Sequence, residues 1–133
     1  VLVGDEEFIE RARKNRKRLG GGMRQAGVIA GPGIISLEKM VDRLKEDHDN
    51  ARRLAEGLKK KSVEIEPDRY KTNIVMLDTS QFDPTAEEIR DKLKERNVLT
   101  LALEEDLMRF VTHRTISAED IDRVLDIFEE EVL

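Results

Sequence analysis

The sequence runs to 133 residues and 15.3 kDa, with Lys+Arg 24 against Asp+Glu 29, a net charge of −5 and 40% charged side chains. That is room for one domain, or one domain plus a piece of another, and the absence of Cys excludes a disulfide framework, a Cys-ligated metal site and a thiol nucleophile. The mildly acidic balance argues against a general nucleic-acid binder, no apolar run reaches the ~20 residues that span a bilayer, and the expectation is a cytoplasmic α+β protein without metal, nucleic acid or membrane partners.

The chain opens on Val1-Leu2-Val3-Gly4 without an initiator Met, which reads as the end of a buried strand. A strand needs neighbours, so the expectation is a piece of a longer protein. Asp5 is placed to N-cap a helix with Glu6 and Glu7 in its first turn and bases from Arg13 to Arg18 at its end, both of which suit the helix dipole. Gly20-Gly21-Gly22 stops that helix. Residues 23–30 read as a short helix interrupted by Gly31-Pro32-Gly33. Leu37, Val41, Leu44, His48, Ala51, Ala55 and Leu58 then step by fours and threes onto one face, widened by Met40 and Leu54, and predict one long helix over residues 34–61. From Ile34 to Leu58 it would measure about 37 Å, long enough to bridge two bodies. Gly57 reads as a mark of fraying near its end.

Beyond the helix the period changes. Val63-Glu64-Ile65-Glu66 alternates like an exposed strand, Pro67-Asp68 turns the chain, and residues 72–77 read as a buried strand. Thr85-Ala86-Glu87-Glu88 is a capping box that opens a helix with Ile89 and Leu93 on one face. Residues 98–103 and 107–112 read as two strands about an acidic turn, with Arg109 facing away from Met108 and Phe110. Ser117 caps a last helix striped by Ile121, Val124, Leu125, Phe128 and Val132. From residue 62 the order is ββαββα, helices covering one face of a small, mostly antiparallel sheet.

Three features carry possible chemistry. Arg11, Arg13, Lys14, Arg16, Lys17, Arg18 and Arg24 crowd one segment without an acid among them; they form either a solvated face or, with the glycine turn and a following helix N-terminus, an anion site. The turn is not a Walker A sequence, and no aromatic residues interleave for base stacking. Arg109 in an apolar strand requires a partner, either a structural carboxylate, which the residues alone favour, or a substrate carboxylate held bidentately. His48 on a helix stripe and His113 in a loop read as structural, and the acidic helix from Glu119 to Glu131 as a solvated face. No complete catalytic set emerges.

Val1-Leu2-Val3-Gly4-Asp5, the segment Arg13 to Leu19 and Gly20-Gly21-Gly22-Met23-Arg24-Gln25-Ala26-Gly27 together resemble the low-specificity L-threonine aldolases. The similarity continues through Leu44-Lys45-Glu46-Asp47-His48, Asn50-Ala51-Arg52, Lys71-Thr72-Asn73 and Arg109-Phe110-Val111-Thr112-His113, and covers essentially the whole chain. These are pyridoxal 5'-phosphate enzymes of the aspartate-aminotransferase-like fold type I. The resemblance implies the C-terminal portion of such an enzyme, beginning just after its Schiff-base lysine. The family's Ser-Lys-Gly motif does not occur here, and the aspartate on the pyridine nitrogen and the ring-stacking histidine are likewise missing. Residues 1–33 would then be a remnant of the large cofactor-binding domain, 34–61 a linking helix and 62–133 the small C-terminal domain.

By the same resemblance, Arg109 binds the substrate α-carboxylate, which reverses the preference for a structural ion pair. Lys17 and Arg24 lie near cofactor phosphate and substrate across a dimer interface. The parent enzyme cleaves L-threonine or L-allo-threonine to glycine and acetaldehyde as a homodimer or homotetramer. This chain holds no catalytic residue, attaches no cofactor covalently and is inactive by itself. Gly31-Pro32-Gly33 and Arg114-Thr115 depart from the family pattern. The alternative is a non-enzymatic α+β association module that folds on its own.

Overall fold

Asp5 accepts a hydrogen bond from the Phe8 amide at 2.7 Å and so starts α1 (Glu6–Arg18). The helix ends in a Schellman motif. Gly21 N–H donates to Arg16 C=O at 2.8 Å and Gly20 N–H to Lys17 C=O at 3.2 Å, with Gly20 at φ +79°, a region open to glycine. A side chain at Gly21 would meet Arg16 Cγ at 2.9 Å. The next helix, α2 (Gly27–Lys39), runs straight through the expected interruption. Pro32 removes one amide rung from its interior, and Ser36 Oγ donates back to Pro32 C=O at 2.9 Å.

The single helix expected over residues 34–61 is two helices. α2 stops at Lys39 and α3 spans Leu44–Lys60, with turns between. Neither Gly nor Pro marks the break; Glu46 N–H reaches back only to Arg43 C=O, at 2.9 Å, so the helical ladder does not continue through it. The computed structural model describes all 133 residues and divides at this point into two units, Val1–Asp42 and Arg43–Leu133. α1 and α2 bury no residue.

The second unit has a single apolar core. Its sheet holds β1 (Ile74–Asp78), β2 (Leu101–Glu104) and β3 (Leu107–Val111) in the order β1-β3-β2, both pairings antiparallel. Val75 and Leu77 of β1 and Met108 and Phe110 of β3 point to one face. That face is covered by Ala51, Leu54, Ala55 and Leu58 of α3, by Ile89 and Leu93 of α4 (Ala86–Glu95), and by Ile121, Leu125 and Phe128 of α5 (Ala118–Val132). Phe128 meets Phe82 and Phe110 edge to face, with centroids 5.8 and 6.5 Å apart. The expected capping box of Thr85 with Glu88 forms, and the expected Ser117 cap is a second such box, closed by Asp120.

The α+β class and the antiparallel sheet stand as expected, but with three strands rather than four. The segment at Val63 has no strand partner. Val63 N–H closes a Schellman cap on Leu58 C=O at 3.1 Å, with Ser62 at φ +68°, and its side chain packs into the core. Gln81 then stands in for a ladder neighbour, accepting from Glu64 N–H at 2.6 Å and donating to Glu64 C=O at 3.2 Å. A second cap of this kind, Val98 N–H on Leu93 C=O at 2.9 Å with Asn97 at φ +63°, delays β2 to Leu101. Gly57 is not a site of fraying: a Cβ there would meet Leu125 Cδ2 at 2.8 Å and Cγ at 3.0 Å, so the glycine is what lets α3 and α5 approach closely.

Candidate functional site

The helix-free face of the sheet is open. Ile74 (38% exposed), Leu101 (48%) and Val111 (42%) lie on it beside the partly buried Met76 and Leu107. Arg109 sits in the middle, opposite Met76 on β1 and opposite Leu101 on β2. Alternation along β3 puts it there, because Met108 and Phe110 on either side are held in the core.

No carboxylate lies within ion-pairing distance of this guanidinium, and its Nε is buried without a hydrogen-bond partner. The structural salt bridge that the residues alone favoured does not form. A buried unpaired donor costs about 1–3 kcal/mol, more when charged, and an incoming carboxylate removes that penalty. The flanking apolar side chains lower the local dielectric and strengthen such a contact.

Other polar groups border this face. The Tyr70 hydroxyl donates to Met76 C=O at the outer edge of β1, and burial pushes its phenol pKa above the usual value. Asp78, opposite Leu107, accepts from the Ser80 hydroxyl at 2.6 Å and the Ser80 amide at 2.9 Å, and these bonds hold its carboxyl below the ordinary range. A concavity of about 840 Å³ lies between Tyr70, Met76, Asp78 and Leu107 and the acidic Glu64 and Glu66.

The basic set belongs to the first unit. Lys17 lies in the last turn of α1 and Arg24 in the turn before α2; both are exposed and neither is ion-paired, as is also true of Arg11, Arg13, Lys14, Arg16 and Arg18. The amides of Gly20 and Gly21 are committed to capping α1, so any anion here meets cationic side chains rather than those two glycine N–H groups.

His48 is half-buried on α3, and His113 Nδ1 pairs with Thr115 Oγ1 at 3.1 Å on the surface. The acidic α5 is more than a solvated face. Arg53 forks Asp122 at 2.6 and 2.8 Å, Arg96 reaches Glu130 at 2.8 Å and also Glu131, and Lys61 pairs with Glu129. Sequence reasoning passed over Met76 and Leu101 as neighbours of Arg109, and over Asp47, Asn73 and Thr112. Only the last group left a trace, as members of the segments that carry the family resemblance.

Comparison with known proteins adds an independent finding. Residues 1–81 match the family described as beta-eliminating lyase. Low-specificity L-threonine aldolase 1 of Arabidopsis thaliana is 35% identical over 135 aligned positions, covering 100% of this chain and 38% of that protein. The low specificity L-threonine aldolase of Escherichia coli strain K12 is 39% identical over 124 positions, 93% of this chain and 35% of that protein. The chain therefore spans little more than a third of the length of these relatives. Among solved structures, 8-amino-7-oxononanoate synthase from Francisella tularensis superposes with a TM-score of 0.58 at 20% identity, over 74% of this chain and 30% of that one, a likeness of fold.

Proposed function

The chain belongs to the beta-eliminating lyase family, and from that premise we propose that it is the C-terminal portion of a threonine aldolase, an aldehyde-lyase dependent on pyridoxal 5'-phosphate. The parent reaction is retro-aldol cleavage of L-threonine or L-allo-threonine to glycine and acetaldehyde. The observation that carries this reading is Arg109, a guanidinium seated among apolar neighbours on an open sheet face with no carboxylate of its own.

In this reading Arg109 holds the α-carboxylate of the amino acid and so orients its Cα–Cβ bond. Met76 and Leu101, opposite it on the two neighbouring strands, keep water from competing for the contact. Lys17 and Arg24, exposed cations without an acidic partner, suit the cofactor phosphate and the substrate of a partner subunit in a homodimer or homotetramer. When bound, pyridoxal 5'-phosphate supplies the electron sink for carbon–carbon cleavage. The covalent lysine of the family's Ser-Lys-Gly motif has no counterpart here, so the chain alone is incompetent and works only with the rest of the enzyme.

Incubation with pyridoxal 5'-phosphate, borohydride reduction and peptide mapping test that division of labour. No lysine should be labelled stoichiometrically. Stoichiometric labelling of one, Lys17 for instance, would give the chain covalent chemistry of its own and overturn the assignment.

A second reading rests on the self-contained core of residues 43–133, which suits an α+β module that folds and associates without catalysis. A monomer with one cooperative melt and no effect on aldol cleavage when joined to the rest of an aldolase would favour it.

A further inference from the structure

The Arg109 guanidinium has no hydrogen-bond partner at Nε and no ion pair, so no other side chain aims it by polar contact. Its direction is set by the backbone of β3, and whatever pins β3 sets the guanidinium. The β1 ladder ends at Ile74 opposite Val111, two residues past Arg109. The next residue, Thr112, is 2% exposed and makes three short bonds besides a longer one from its hydroxyl to Asn73 C=O at 3.4 Å. Its N–H donates to Asn73 C=O at 3.0 Å, its C=O accepts from Asn73 Nδ2 at 2.8 Å, and its hydroxyl donates to Asp47 C=O at 2.6 Å.

The first two bonds extend the sheet, whereas the hydroxyl bond leaves it and joins the strand to the first turn of α3. That turn is itself held. Asp47, 4% exposed, receives both arms of the Arg43 guanidinium, at 2.9 and 3.2 Å, and Arg43 is the N-cap position directly before α3. The path runs from Arg43 through Asp47 to Thr112, and from there along three residues of strand, about 10 Å, to Arg109.

We infer that Thr112 is a positioning residue for Arg109, with Asn73 as its co-anchor: the hydroxyl bond to Asp47 fixes the strand end that aims the guanidinium. The inference rests on the carboxylate-reading role of Arg109 for its consequence, though not for its geometry. Thr112 itself touches no substrate. Small displacements matter because a two-pronged carboxylate contact is sensitive to shifts of about 1 Å.

The test uses the full chain labelled with nitrogen-15. The Arg109 Nε–Hε signal, assigned by its loss in Arg109→Lys, reports the seat of the guanidinium, and acetate serves as the carboxylate probe. Thr112→Val, nearly isosteric but without the hydroxyl, should shift that signal, speed its exchange with water and weaken the acetate response about threefold to tenfold. Thr112→Ser should restore all three. Asn73→Ala should move the signal the same way and serves as the readout if the valine variant does not fold. An unchanged Arg109 signal, exchange rate and acetate response in a Thr112→Val protein that merely melts earlier would reduce Thr112 to a structural residue and overturn the inference. If acetate leaves the unsubstituted protein's Arg109 signal unmoved while Thr112→Val still displaces it, the positioning stands and the carboxylate reading of Arg109 fails instead.

Discussion

Replacing Gly57 with alanine separates two opposed effects at one atom. In isolation the change favours a helix by about 1 kcal/mol. In this fold the added Cβ would lie 2.8 Å from Leu125 Cδ2 and 3.0 Å from Leu125 Cγ, inside van der Waals contact with a buried side chain. Forcing one methyl into a packed core costs about 1–3 kcal/mol, and Leu125, 7% exposed on α5, is the side chain that must give way. Gly57→Ala should therefore destabilise by up to about 2 kcal/mol, which lowers the midpoint of a domain of this size by as much as roughly 16 °C. Thermal and urea melts read it. The decisive comparison is in a Leu125→Ala background, where the obstruction is gone: there Gly57→Ala should stabilise by up to about 1 kcal/mol, a reversal of sign that only direct contact produces. A higher midpoint for Gly57→Ala alone would refute the close crossing of α3 and α5.

Ser62 adopts φ +68° at the end of α3, a conformation that disfavours any residue with a Cβ, so Ser62→Gly should raise stability by about 0.5–1 kcal/mol in a urea melt. Met76→Glu places a carboxylate directly opposite Arg109; it should form an internal pair that abolishes the acetate response of Arg109 without lowering the melting midpoint. The Ser117 amide and then its hydroxyl, each 2.9 Å from Asp120 Oδ2, hold that carboxyl below its ordinary pKa. A carboxyl depressed in the folded state contributes stability above its unfolded pKa of about 3.9, lost as pH falls through the lower folded value. Ser117→Ala should raise the Asp120 pKa, followed by NMR titration, while the remaining amide bond keeps it below the ordinary value.

Local signals carried well from sequence to structure. Asp5, Thr85 and Ser117 cap the helices they were expected to cap, because a side-chain oxygen three residues ahead of a free amide acts at short range whatever the surroundings. Alternation around Met108 and Phe110 placed Arg109 on the opposite face for the same reason, though not that this face is open. Where long-range geometry decides, the pattern misled. The apolar stripe ran unbroken through residues 40–43 while the chain turned there, since periodicity records which side is apolar and not whether the ladder continues. Gly57 resembled a weak point because its contact, Leu125, lies 68 residues away in the chain. The Val63 segment alternated like a strand, yet its second rung is the side chain of Gln81. Arg109 itself was legible only as an anomaly. That it lacks an internal partner depends on which strands flank it, and register is not written in any one strand.

The most direct test of the central claim replaces the matching C-terminal third of the Escherichia coli threonine aldolase with this chain and measures kcat/KM for L-threonine with and without Arg109→Ala. The account predicts that the hybrid cleaves threonine and that the substitution lowers kcat/KM by roughly 30-fold to 5,000-fold, the cost of about 2–5 kcal/mol for losing one partner of a desolvated charge pair. A hybrid whose kcat/KM is the same with alanine at this position would contradict it.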